Sequence, residues 1–92
     1  MNKIVLIEEE KKGSFEIRDN GIVLAELNFN KVDPEKIDAY HTFVDSSLRG
    51  QGIAEKLYAE LLKYAKENAY KIIPTCSYVE KRIQKDSDMI AK

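Results

Sequence analysis

Arg49-Gly50-Gln51-Gly52-Ile53-Ala54 stands between a run that reads as a strand, Ile37 to Val44, and a run that reads as a helix beginning at Ile53. In that helix Ile53, Leu57, Leu61, Ala65 and Ala69 recur every fourth residue, with Ala54, Tyr58 and Leu62 beside them. The spacing predicts a broad apolar stripe on a helix of about 17 residues, with Glu55, Lys56, Glu60, Lys63 and Lys66 in water. A strand that enters a Gly-x-Gly turn and then a long helix is suited to an anion. Glycine lets the backbone bend tightly and approach a ligand, and the free amides and dipole of the first helical turn favour negative charge. Arg49 adds a positive fork beside those amides.

Upstream, the chain reads as a meander. Ile4 to Ile7 predicts a first strand, apolar on both faces. Ser14 to Arg18 alternates, Phe15 and Ile17 facing one way. Asn20-Gly21 predicts a type I′ turn, because both central positions need positive φ. The next strand runs from Ile22 to Phe29, with Val23, Ala25, Leu27 and Phe29 on one face. Asn30 to Lys36, containing Asp33-Pro34, reads as a loop. Downstream of the helix, Tyr70-Lys71-Ile72-Ile73-Pro74 predicts a short strand parallel to the fourth, closing a βαβ unit. Ser77-Tyr78-Val79-Glu80 has the pattern of a capping box with Ser77 as N-cap, leading a short helix to about Lys85.

Composition narrows the class. The chain has 92 residues, 43% hydrophobic and 34% charged, the balance of one small soluble domain spanning residues 1–92. Fifteen basic against sixteen acidic residues give a net charge of -1, which speaks against a nucleic-acid partner. Glu8-Glu9-Glu10 followed by Lys11-Lys12-Gly13 reads as a solvated turn. One cysteine and one histidine leave no basis for an internal disulfide or a metal site. The start, Met1 to Ile7, is too short for a leader or a membrane span, so a reducing cytoplasmic setting is expected.

Three phosphate motifs compete for Arg49 to Ala54. A Walker loop needs Gly-Lys before Ser or Thr, which is absent. A dinucleotide fingerprint needs Gly or Ala where Glu55 stands. The acyl-CoA motif of the GNAT acetyltransferases, Gln/Arg-x-x-Gly-x-Gly/Ala, is matched at every specified position, and a plain strand-to-helix turn is the bland alternative. The likeness extends through His41-Thr42-Phe43-Val44 and Ile73-Pro74-Thr75-Cys76-Ser77-Tyr78-Val79. Over these three blocks the chain resembles a family of very small single-domain GNAT-like N-acetyltransferases. Residues 1–36 match only in strand pattern.

The resemblance implies a minimal GNAT fold of α/β (α+β) type: a mixed sheet of about five strands, one long helix and one short one. It implies acetyl-CoA or coenzyme A as co-substrate. The pantetheine arm would lie between the splayed ends of strands four and five, near Phe43 and Val44. The pyrophosphate would rest on Arg49, Gly50 and the amides of Gln51, Gly52, Ile53 and Ala54. Ser77 and Tyr78 of the third block are further cofactor-binding candidates, and Arg82 is the candidate for the adenosine phosphate.

Two residues carry the candidate chemistry. Cys76 reads either as a thiolate that takes the acetyl group or as a small residue lining the channel. His41 reads either as the base for the acceptor amine or as a hydrogen-bonded orienting residue, on a face shared with Ala39 and Phe43. The favoured function is acetyl transfer to an amine of a small molecule or protein. The rivals are a non-catalytic acyl-CoA-sensing module and an interaction domain whose loop is structural. A monomer or a homodimer is expected, since so small a sheet has edges to cover.

Overall fold

A computed structural model describes residues 3–92, and Met1 and Asn2, the first residues of the leader reading, lie outside it. Five strands, β1 (Val5–Glu8), β2 (Lys12–Asp19), β3 (Ile22–Asp33), β4 (Lys36–Val44) and β5 (Lys71–Pro74), form one sheet in sequence order. The first four are antiparallel neighbours, and β4 and β5 are parallel. Helix α1 (Ile53–Glu67) crosses between them, and α2 (Ser77–Ile83) continues into a 3-10 segment, Gln84–Met89. The expected sheet, helices and parallel pair are all present.

Both helices lie on one face of the sheet. The α1 residues Ile53, Leu57, Tyr58, Leu61, Tyr64 and Ala65 are buried, as are Phe15, Ile17, Ala25, Leu27, Phe29, Ile37, Ala39 and Ile72 of the strands. Tyr64 packs edge-on to Phe15 and tilted against Phe29, with centroids 5.8 and 5.2 Å away. Val79 and Ile83 bring α2 into the same core. The Tyr58 hydroxyl donates to Asp86 at 2.8 Å, which ties α1 to the chain after α2. At the other end, the Tyr64 hydroxyl and the Lys31 ammonium each reach a Glu8 oxygen at 2.7 Å. The Lys31 bond, then the Tyr64 bond, holds that carboxyl below its usual pKa and anchors β1.

Several boundaries differ from the sequence reading. Asn20 and Gly21 have φ of 52° and 79°, as the I′ turn requires. Asn30 to Lys36 is not a loop: β3 runs on to Asp33, and the Asp33 carboxylate accepts the Glu35 amide at 2.7 Å across a two-residue turn. Among the described residues the register shifts at three points, at Val32 beside the β3–β4 turn and at two more that reset the faces nearer the site. In β3, Arg18 pairs with Val23 and Ile17 with Ala25, so Leu24 is the extra residue and packs against the core in place of Val23. In β4, Ala39 pairs with Phe29 and His41 with Asn28, so Tyr40 is extra.

Helix α1 also ends two residues early, at Glu67. Tyr70 N–H reaches Ala65 C=O at 2.8 Å and Ala69 N–H reaches Lys66 C=O at 3.4 Å. This is a Schellman closure, with Ala69 at φ 59° where glycine is usual. Tyr70 stacks on Tyr64, and that contact secures the turn. Ala69→Gly is therefore expected to relieve the left-handed penalty on Cβ, net of the glycine's greater freedom when unfolded. A gain of about 0.5 kcal/mol in urea-denaturation stability is the expected outcome.

Candidate acyl-CoA site

The site begins where β4 and β5 part. Their register runs from Lys36↔Lys71 to Ala39↔Pro74 and stops there. Lys71 N–H donates to Glu35 C=O at 2.8 Å, so the amides of Lys71, Ile73 and Thr75 are those on the β4 side, and Pro74 is turned to the outer edge where no bond to β4 is lost. Thr75 N–H folds back to Ile73 C=O at 3.1 Å, and β4 runs on alone to Val44. Cys76 N–H donates to Ala39 C=O at 2.9 Å, fixing Cys76 at the base of the fork. Its sulfur lies 3.3 Å from the Thr42 hydroxyl. Thr42 pairs with Leu27, a core residue, so Cys76 meets β4 on the helix-bearing face.

The bulge at Tyr40 separates the two catalytic candidates. Ala39 faces the core, whereas His41 and Phe43 face the other, open side of the sheet. The expected shared face of Ala39, His41 and Phe43 is thus corrected by one extra residue. His41 Nε2 stands 3.9 Å from Glu26 Oε2, and Asn28 Nδ2 reaches Glu26 Oε1 at 3.4 Å. Glu26 was not singled out in the sequence, because its relation to His41 exists only through the β3–β4 register. Glu16 faces Glu26 directly across β2–β3 and is nearly buried; Ser14 Oγ and Arg18 Nε donate to its carboxylate.

The glycine loop has the expected geometry. Asp45 takes the Ser47 amide at 3.0 Å and caps a 3-10 turn, Ser46–Leu48, that leads the chain to Arg49. Gly52 is the N-cap of α1 at φ 69°, ψ 26°, with no side-chain bond to the first turn. The amides at the start of α1 are therefore left for solvent or an anion. A groove of about 290 Å³ lies over them, lined by Val44, Leu48, Arg49, Gly50, Gly52, Ile53, Ala54, Glu55 and Tyr78. Seven of the candidate cofactor residues meet there; Phe43, Gln51, Ser77 and Arg82 are not part of its lining. Leu48 and Glu55 were missed, since neither residue type signals an anion site.

Two polar atoms at this seam are buried and lack a protein partner: the Tyr78 hydroxyl and Arg82 Nε. Burial raises the Tyr78 pKa, so the hydroxyl keeps its proton and acts as a donor. The Arg82 guanidinium lies over the Tyr58 ring, 5.8 Å from its centroid, with Nη2 3.7 Å from Glu55. The capping-box reading fails. Cys76, not Ser77, is the N-cap of α2, and its carbonyl takes Glu80 N–H at 2.8 Å without a side-chain bond. Open helix amides, a groove beside them and an orphaned donor fit a phosphate-bearing ligand with a polar arm.

Comparison with known proteins gives the same picture. Residues 14–92 match the family described as GCN5-related N-acetyl-transferase. The chain is 30% identical over 79 residues to Protein NATD1 of Xenopus tropicalis, covering 85% of this chain and 72% of that one. Its fold matches a GCN5-like protein of Staphylococcus aureus at TM-score 0.69 and 32% identity, over 97% of this chain and 86% of the other. A GNAT family acetyltransferase of Elizabethkingia anophelis with acetyl-CoA bound matches in fold at TM-score 0.59 and 17% identity, over 84% and 53% of the two chains. Gly52→Asp places a carboxylate at the head of α1, where it repels phosphate, at a left-handed φ of 69° that costs a non-glycine residue about 1 kcal/mol. Coenzyme A affinity measured by calorimetry is expected to fall about hundredfold, with the circular dichroism spectrum retained.

Proposed function

The chain belongs to the GCN5-related N-acetyltransferases, and within that acetyl-CoA-dependent activity we propose that Cys76 carries the acetyl group to a primary amine on a cationic acceptor. The observation that carries this reading is the fork. Past Ala39 and Pro74 the β5-side edge of β4 is no longer paired to β5, and Cys76 is bonded into the fork's base. A thioester arm laid in the fork can pair with β4 while its reactive carbon lies beside the sulfur.

Each residue then has a role set by its position. Arg49 and the first amides of α1 hold the pyrophosphate, and Val44 borders the arm. The Cys76 thiol loses its proton and attacks the thioester carbon; the bond to the coenzyme sulfur breaks, and that sulfur leaves with the proton. Thr42 orients the Cys76 sulfur, and Tyr78 donates a hydrogen bond into the groove. Free β4 amides polarise the carbonyl oxygen. The amine reaches the fork from the open face and attacks the acetyl-cysteine carbon, restoring the Cys76 sulfur. His41 takes the amine proton, and Glu26 stabilises the imidazolium. The Glu26 carboxylate, whose neighbour Glu16 is already offset by Arg18, favours a positively charged acceptor on that side.

One observation favours direct transfer instead. His41 and Cys76 lie toward opposite faces of β4, so His41 does not serve as the base for the Cys76 thiol. The two routes differ in one measurable species. With acetyl-CoA alone, intact mass is expected to show one acetyl group mapped to Cys76, absent in Cys76→Ala. Turnover with a polyamine or peptide amine should then fall at least about hundredfold in Cys76→Ala. An unmodified cysteine with parental turnover in Cys76→Ala would establish direct attack. His41→Gln is expected to lower kcat by about a hundredfold while leaving the Kd for coenzyme A unchanged, which separates proton transfer from binding.

A further inference from the structure

The two edges of the sheet are treated differently. Beyond β5, Ile72 forms a parallel bridge with Ile90, and Ala91 N–H donates to Ile72 C=O at 2.8 Å. Beyond β1 no described residue forms a comparable bridge. Val5, Leu6 and Ile7 are 40%, 38% and 39% exposed. The strand carries no proline, no bulge and no charge from Ile4 to Ile7, the devices that keep an open edge from pairing with another chain.

We propose that this edge is covered by β1 of a second copy, paired antiparallel about a two-fold axis beside Leu6. Backbone parity and charge select that register. Glu9 N–H donates to Lys12 C=O at 2.8 Å, so Val5, Ile7 and Glu9 turn their backbone groups toward β2. Ile4, Leu6 and Glu8 turn theirs to the open edge. An antiparallel ladder joins outward residues to outward residues, and centring it on Leu6 uses all three. Leu6 then faces Leu6, Ile4 faces Glu8, and on the other side of the sheet Val5 faces Ile7. Lys3 comes opposite Glu9, so the ladder is flanked at both ends by opposite charges. Sliding the pairing by two residues, which moves the centre to Val5 or Ile7, sets Lys3 against Ile7 or Glu9 against Val5 and loses both pairs.

The flanking surface is compatible with two-fold contact. Leu6 borders a shallow groove shared with Phe15, Tyr64, Glu60, Lys63 and Glu67, whose charges are of both signs. An isologous interface of this kind closes on itself and stops at two chains. It lies at the opposite side of the sheet from the β4–β5 fork, so the dimer leaves each acyl-CoA groove open. It is also independent of the catalytic route.

The test is the solution mass of the full chain by sedimentation equilibrium from micromolar to submillimolar concentration. Two chains per particle are expected. Leu6→Lys, at a position already part-exposed, should give one chain with an unchanged circular dichroism spectrum. Lys3→Glu should raise the dimer dissociation constant by about tenfold or more, and Lys3→Glu with Glu9→Lys should restore it. A single chain at every concentration overturns the proposal. So does a dimer insensitive to both Leu6→Lys and Lys3→Glu, or a particle that grows beyond two chains. Failure of the charge-swap rescue overturns the register centred on Leu6.

Discussion

Thr75 turns its N–H back to Ile73 C=O instead of donating to β4, and the geometry of the site follows from that diverted bond. A fifth strand that kept pairing would hold the Tyr40–Val44 backbone inside the sheet. Because the ladder stops at Ala39↔Pro74, the two strands part while both are still anchored by core residues, Ala39 on one side and Ile72 on the other. The bond from Cys76 N–H to Ala39 C=O then fixes where the opening begins. The glycine loop adds the second half of the arrangement. Gly52, in a left-handed conformation and without a capping side chain, turns α1 so that its open amides face the same groove.

Much of this was legible in the chain. The four-residue recurrence from Ile53 to Ala65 specified α1 and its buried face, and Asn20-Gly21 specified a hairpin. The six residues from Arg49 to Ala54 specified a tight strand-to-helix turn with an uncapped helix start, because Gly-x-Gly before an apolar four-residue repeat makes the same backbone demand wherever it occurs. The bulges at Leu24 and Tyr40 were not legible. A period-2 pattern assigns faces by counting, and one extra residue reverses the count with no change in composition. That reversal moved His41 away from Ala39 and toward Glu26. The early end of α1 was hidden because Ala69 continues the apolar stripe yet adopts the conformation expected of glycine. The start of α2 was misplaced by one residue, since Ser77 and Glu80 have the composition of a capping box while Cys76 occupies the cap.

The two faces of the sheet divide the labour. The helix-bearing face is where apolar side chains from both layers meet, and it supports the groove and the fork. The open face carries Glu16, Glu26, Asn28 and His41 in adjacent cross-strand positions. There Arg18 offsets one carboxylate and the His41 imidazole stands near the other. Like charges across a strand pair reduce sheet stability, so this arrangement costs the fold something that a purely structural face would avoid.

An open face has a chemical consequence as well as an electrostatic one. A thioester is an activated acyl group, and enzymes that hold one commonly close a lid to keep solvent from it. Here both helices lie behind the sheet, and the side bearing His41 is left wet. On the proposed route water therefore competes with each amine that approaches from that side, and selectivity comes from the greater nucleophilicity and the local enrichment of the amine. The expected signature is a slow hydrolytic leak, a futile discharge of acetate whenever the acceptor is scarce.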